Sequence, residues 1–108
     1  MKFLVTVTPR PNPMIPPQVL AEILKAQRGW LQAHLADGTF DCNYAFPSGG
    51  GMAVVNVDSH EALNELIYDA PAFGVTDIET KALADAGASL ANAIAALERA
   101  SSMMAGTA

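Results

Sequence analysis

Residues 49–83 show the clearest pattern of apolar and polar positions in the chain. A valine-rich run at 52–57 follows three glycines, and branching at Cβ favours a half-buried strand. Beyond it, apolar residues recur at i, i+3, i+4 and i+7, which predicts a helix with one buried stripe: Leu63, Leu66, Ile67 and Ala70. Pro71 ends this helix because proline cannot continue its hydrogen bonding.

A second strand is predicted between Pro71 and residue 83. Three of its alternate positions are charged: Asp77, Glu79 and Lys81. A strand face of this kind meets solvent or lies near a sheet edge, so we expect an outer strand here.

The first 38 residues repeat the strand and helix pattern. A strand at 2–8 is predicted by three alternating apolar residues: Phe3, Val5 and Val7. After a proline-rich connection, a helix is expected from Pro17 to about Gly38, with a broad buried apolar face. Gln27 and His34 interrupt the leucine side of that face, where a purely structural helix would carry apolar residues.

Residues 39–46 alternate as a strand, and a helix follows at the C-terminus. Strict alternation places Phe40, Cys42, Tyr44 and Phe46 on one face. Asp41, Asn43 and Ala45 then lie on the other face. Residues 85–108 are rich in alanine, and a narrow apolar stripe predicts a helix that docks on another surface or is exchanged between subunits.

The predicted order is strand, helix, strand, strand, helix, strand, helix. The first six elements form the βαββαβ pattern of a ferredoxin-like α+β fold, with helices on one face of a four-stranded antiparallel sheet. We expect this domain to span residues 1–84 and the C-terminal helical extension to span 85–108. The uncovered sheet face is left for a second subunit.

Charge narrows the class of ligand. The 108 residues carry a net charge of −5, and no Lys or Arg lies between Gly29 and Thr80. Nucleic-acid binding is excluded by this lack of clustered positive charge, and a neutral small molecule is favoured over a multiply anionic one. His34, His60 and Cys42 lack the close spacing of a metal site. Without a visible signal peptide or membrane span, a cytoplasmic protein is predicted.

Six residues are candidates for chemistry. As a titratable side chain, His34 either complements the helix C-terminus or lines a pocket. Tyr44 is either a core aromatic or a hydrogen-bond donor into a pocket, and Asp41 with Asn43 forms either a solvated strand surface or a polar site. Gln27 and Trp30 are candidate substrate-binding residues of the first helix.

Residues 55–83, VNVDSHEALNELIYDAPAFGVTDIETKAL, resemble the muconolactone isomerase-like family of dimeric α/β barrels. Residues 24–40, LKAQRGWLQAHLADGTF, are similar in outline to the first helix of that family. The resemblance implies a homodimer or higher oligomer with sheets packed face to face, and small-molecule chemistry without a cofactor or metal. The family's second strand carries basic residues that are missing from 40–44 here, so the substrate is expected to be largely neutral.

The leading hypothesis is an isomerase or cyclase that moves a proton on a lactone or polyketide-like substrate. His34 or Asp41 would act as the base, and Tyr44 or Asn43 would hold a developing enolate oxygen. A cofactor-independent monooxygenase is the related alternative, with Trp30, Asn43 and Tyr44 as its site. A non-catalytic small-molecule binding protein or an oligomeric scaffold is the third.

Overall fold

Four strands lie side by side in one antiparallel sheet in the computed structural model, which describes residues 1–106. The sheet order is β2-β3-β1-β4. The elements are β1 (Lys2–Pro9), α1 (Pro17–Ala36), β2 (Phe40–Ala45), β3 (Gly51–Asn56), α2 (His60–Asp69), a short 3₁₀ turn (Phe73–Val75), β4 (Thr76–Leu83) and α3 (Ala86–Gly106). The predicted ferredoxin-like α+β order is confirmed.

The core lies on the helix-covered face of the sheet. Phe3 and Val5 of β1 stand opposite Val55 and Ala53 of β3, and all four side chains are buried. Leu63 of α2 packs against them from above the sheet. This face is apolar because the period of two along each strand brings alternate apolar residues together.

The uncovered face of the sheet carries the other set of alternate side chains from each strand. Leu4 and Thr6 of β1 stand opposite Val54 and Met52 of β3 on this face. On β4 the same face carries Asp77, Glu79 and Lys81, which pair with Thr8, Thr6 and Leu4. The predicted charged face of an outer strand is thus confirmed, because β4 is an edge of the sheet.

Ser59 caps the N-terminus of helix α2, and its Oγ accepts a hydrogen bond of 3.0 Å from the N–H of Ala62. Leu63 of α2 is buried, and Ala70 ends the helix before Pro71. Helix α1 ends at Asp37, and Gly38 follows with a φ of +84°, a conformation that glycine adopts without steric cost.

The prediction that α1 has a broad buried face is wrong for most of the helix. The structure describes all of α1, and it has no fully buried side chain. Its contacts with the sheet are made to β2, and Leu24 remains 52% exposed. The reason is that the first turns of α1 stand away from the sheet and from α2, which leaves a space between the two helices.

Helix α3 leaves the sheet after Leu83 and does not pack extensively on any described helix or strand. All of its residues are exposed except Ala95, which is partly buried. It contributes to the elongated dimensions of 71 × 30 × 25 Å. None of the helices described between residues 1 and 106 has both the length and the hydropathy to cross a membrane.

Candidate functional site

A cavity of about 700 Å³ lies between the covered face of the sheet and the two helices that cross it. Its floor includes Val5, Ala53 and Val55 of the sheet. Leu24 of α1 and Leu66 of α2 form opposite walls. The lining continues to the end of the sheet where β1 meets the proline-rich connection. The cavity exists because α1 and α2 are held apart over the sheet.

Two side chains of α1 connect it with the end of α2. Gln27 accepts a hydrogen bond through Oε1 from the N–H of Ala72 at 3.0 Å. One turn further along, Trp30 donates from Nε1 to Oδ2 of Asp69, also at 3.0 Å. Both Gln27 and Trp30 line the cavity, so these bonds fix the distance between its walls at one end.

Strand β2 contains a β-bulge, and beyond it each side chain lies on the face opposite to the one that strict alternation predicts. Phe40 stands opposite Val55, but the next pairs are Cys42 with Val54 and Asn43 with Ala53. Residues directly opposite share a face, so the extra residue Asp41 puts Asn43 on the face of Phe40. The predicted strict alternation is therefore wrong.

The bulge gives Asn43 and Tyr44 opposite surroundings. Asn43 shares the covered face and lines the cavity. Tyr44 stands opposite Met52 on the uncovered face and is 71% exposed, although its strand segment also borders the cavity. Of the two predicted donors to an enolate oxygen, Asn43 is thus the one whose side chain belongs to the cavity face.

Several other polar groups of the lining make hydrogen bonds within the chain. Thr76 donates from Oγ1 to the Ala72 carbonyl at 2.9 Å. Arg10 donates to the Gly74 carbonyl at 2.9 Å, and Asn12 accepts from the N–H of Met14 through Oδ1. Asn43, by contrast, makes no side-chain hydrogen bond with any residue of the described chain. Its amide is therefore available to a ligand.

His34 lies behind the cavity wall and not on it. Its ring contacts Trp30 and Phe40, with centroid distances of 4.7 and 5.3 Å. Its Nδ1 is buried, makes no hydrogen bond within residues 1–106, and lies 3.5 Å from Oδ2 of Asp37. Hydrogen bonds from Thr39 hold the pKa of the Asp37 carboxyl below its usual value, which keeps a negative charge beside the imidazole.

Asp41 is at the bulge and also lies outside the cavity lining. Its carboxylate accepts hydrogen bonds from Nζ of Lys2 and from the amide of Asn56. These bonds, that of Lys2 first, hold the pKa of Asp41 below its usual value. The structure therefore brings Gln27, Trp30 and Asn43 to one cavity and leaves His34 and Asp41 outside it.

Arg10 is a further residue of this site that was not predicted from the sequence. Arg10 lines the cavity where β1 ends, and its guanidinium also lies 3.4 Å from Asp77. A single basic residue among prolines was the available signal. Within the described chain, no three His, Cys, Asp or Glu side chains form a group that could hold a metal ion.

Two solved structures share this fold. The crystal structure of muconolactone isomerase matches with a TM-score of 0.70 and 25% identity, covering 79% of this chain and 90% of that chain. The structure of 5-chloro-2-hydroxyhydroquinone dehydrochlorinase from Burkholderia phenoliruptrix AC1100, in complex with 2,5-dihydroxybenzoquinone, matches with a TM-score of 0.65 and 13% identity. That match covers 81% of this chain and 97% of the dehydrochlorinase. No family model and no curated protein matches.

These similarities confirm that the chain has a muconolactone isomerase-like fold. Both neighbours are enzymes that act on small molecules, so catalysis on a small molecule is a function that this fold supports.

Proposed function

We propose that this protein is a cofactor-free isomerase or cyclase that moves a proton on a largely neutral lactone or polyketide-like substrate. The observation that carries the proposal is the cavity itself, whose apolar lining contains the amide of Asn43, a side chain with no hydrogen bond inside the described chain. Pockets of this kind bind a mainly apolar molecule and orient it through a few polar groups. One structural neighbour is an isomerase, and the other is a dehydrochlorinase that holds a small quinone.

In this proposal the side-chain amide of Asn43 donates a hydrogen bond to the developing oxyanion. When a proton is removed next to a carbonyl, negative charge builds on the carbonyl oxygen. An amide N–H that already points to that position stabilises the charge, and removing such a donor costs about 10²–10³ in turnover. The apolar surroundings of Asn43 strengthen this hydrogen bond because little water competes for it.

In this proposal His34, and not Asp41, is the base that transfers the proton. The carboxylate of Asp41 is occupied by two donors and its pKa is lowered, which makes it a poor base. His34 has an unbonded Nδ1 and touches Trp30 and Phe40, two residues of the cavity wall. Because these rings stand between His34 and the cavity, the transfer requires a shift of the Trp30 side chain or a bridging water.

The experiment uses α-angelica lactone, a small neutral lactone whose double bond moves into conjugation when one proton is removed and another returned. Proton NMR in D₂O follows both the conjugated product and deuterium incorporation. Asn43→Ala should lower kcat/KM by about 10²–10³, and Tyr44→Phe is the matched control from the opposite face. His34→Gln should lower kcat/KM by about 10²–10⁴, the usual contribution of a general acid–base residue. Absence of exchange into a panel of neutral lactones and cyclic enones would contradict the proposal.

A cofactor-independent monooxygenase is the second candidate. It is favoured by the scarcity of bases on the described cavity lining, where Arg10 and Tyr44 are the titratable residues. An electron-rich phenol loses its own proton readily and needs less help from a base. Oxygen consumption with a hydroquinone, measured by an electrode, separates this reaction from isomerisation. A ligand that is retained without either reaction would identify a binding protein instead.

We also propose that the uncovered sheet face packs on the same face of a second copy. Leu4, Cys42, Met52 and Val54 lie together on this face and are partly buried. Two such faces provide an apolar centre with a more polar rim from β4, as is usual at subunit interfaces. The sheets then form the two layers of a dimeric barrel.

A further inference from the structure

Helix α3 has a surface whose use is not explained by the cavity or by the sheet. Leu90, Ile94 and Leu97 are 64%, 55% and 70% exposed, and they succeed one another at intervals of four and three residues. At 3.6 residues per turn, these three side chains form one continuous stripe along the helix. The intervals are those of the seam of a two-stranded coiled coil.

The stripe is not covered by the body of its own chain. Two residues separate α3 from β4, at the end of the sheet where Leu83 pairs with Lys2. The part of the cavity lined by Pro9 lies at the other end of β1, roughly 24 Å away along the strand. Asp85 caps the start of α3 by accepting a hydrogen bond of 2.8 Å from the N–H of Ala88.

The charges of α3 suit a copy of itself. The chain as a whole has a net charge of −5, so most surfaces of two copies repel each other. Within α3 the charged residues are Glu98 and Arg99, which cancel. Ala93 and Ala100 flank the stripe, and their small side chains permit a second helix to approach closely.

We propose that α3 pairs with α3 of a second copy through the stripe formed by Leu90, Ile94 and Leu97. Pairing removes the exposed apolar side chains of both helices from water at once, in a self-complementary contact. If the contact extends along the whole helix of 21 residues, which is about 31 Å long, a strip 10 Å wide covers at most roughly 300 Å² per copy. This area is below the roughly 800 Å² per partner of a standard interface, so the pairing is reversible and depends on concentration.

Cross-linking of the full chain tests which surface meets which. In a Cys42→Ser background, Ile94→Cys places a thiol at the centre of the stripe, where the two copies stay close in a parallel or an antiparallel pair. Asn92→Cys, on the opposite side of the same helix, is the matched control. With a short bismaleimide, Ile94→Cys should form the linked dimer at least tenfold faster than Asn92→Cys. Equal rates would overturn the proposal.

Sedimentation equilibrium provides the second measurement. The double variant Leu90→Glu with Leu97→Glu should raise the dissociation constant of self-association at least tenfold, and Asn92→Glu should leave it unchanged. Circular dichroism verifies that all chains stay folded, which is expected because the substituted residues are exposed. Unchanged association of the double variant contradicts the pairing whether or not the protein is an enzyme.

Discussion

The two faces of the four-stranded sheet are built from alternate residues of the same strands, yet they have different roles. The covered face, with Phe3 and Val55 at 4% and 1% exposure, is closed by α2 and by part of α1. The uncovered face carries Leu4 and Val54 in the neighbouring positions, together with the charged side of β4. Adjacent residues of one strand therefore lie in the packed core in one case and on an uncovered surface in the other.

The covered face itself has two parts. Around Leu63 it is closely packed, whereas beneath the first turns of α1 it remains open as the cavity. The packed part stabilises the fold, and the open part is where a substrate has room. Gln27 and Trp30 lie between these parts and hold the two helices at the distance that keeps the space open.

The largest expected effect comes from removing a side chain of the packed part. Phe3→Ala should lower the free energy of unfolding by about 3–5 kcal/mol, because a large buried ring is lost and a cavity remains. Leu4→Ala is the matched change on the uncovered face and should cost roughly 1 kcal/mol in the dilute protomer. Urea denaturation at low protein concentration measures both. Equal losses would mean that the two faces are equally buried.

An intermediate effect is expected from a charge on the uncovered face. Val54→Asp should weaken the proposed sheet-to-sheet dimer at least tenfold, because each protomer would bring an unpaired carboxylate into the apolar centre. The protomer should remain folded, since Val54 does not belong to the buried core. Light scattering after gel filtration reports the mass, and Thr8→Asp, near the end of β1, is the control. An unchanged mass contradicts the proposed interface.

The smallest expected effect is at the bulge that assigns residues of β2 to the two faces. The pKa of Asp41 is lowered in the folded protein by Lys2 and Asn56, so its ionised form stabilises the fold above the unfolded pKa. That stabilisation is lost as the pH falls through the folded pKa, below the ordinary value of 3.8. Asp41→Asn should therefore lower the thermal midpoint slightly at pH 7, and the difference should vanish near pH 2.

The control for this prediction is Asp69→Asn, a carboxylate at the cavity end of α2 that binds Trp30. If the midpoint difference caused by Asp41→Asn persisted unchanged at pH 2, the ionic contact with Lys2 would not be its source.

Much of the fold follows directly from local patterns in the sequence. The valine-rich β3, the capped stripe of α2, Pro71 and the charged face of β4 are each determined by neighbouring residues, so their order could be predicted. The candidate site was predicted only in part. Gln27 was predicted as a polar interruption of an apolar helix face, Trp30 as a substrate-binding residue of that helix and Asn43 as part of a polar strand face, and all three line one cavity.

The remaining features depend on residues far apart in the chain. The bulge at Asp41 is decided by pairing with β3 and by contacts to Lys2 and Asn56, and no local pattern indicates that extra residue. For the same reason the faces of Asn43 and Tyr44 could not be assigned from alternation alone. The distance between α1 and α2, and hence the cavity, is set by bonds between residues about 40 positions apart. Periodicity specifies which residues share a face of one element, whereas long-range contacts specify where that face lies.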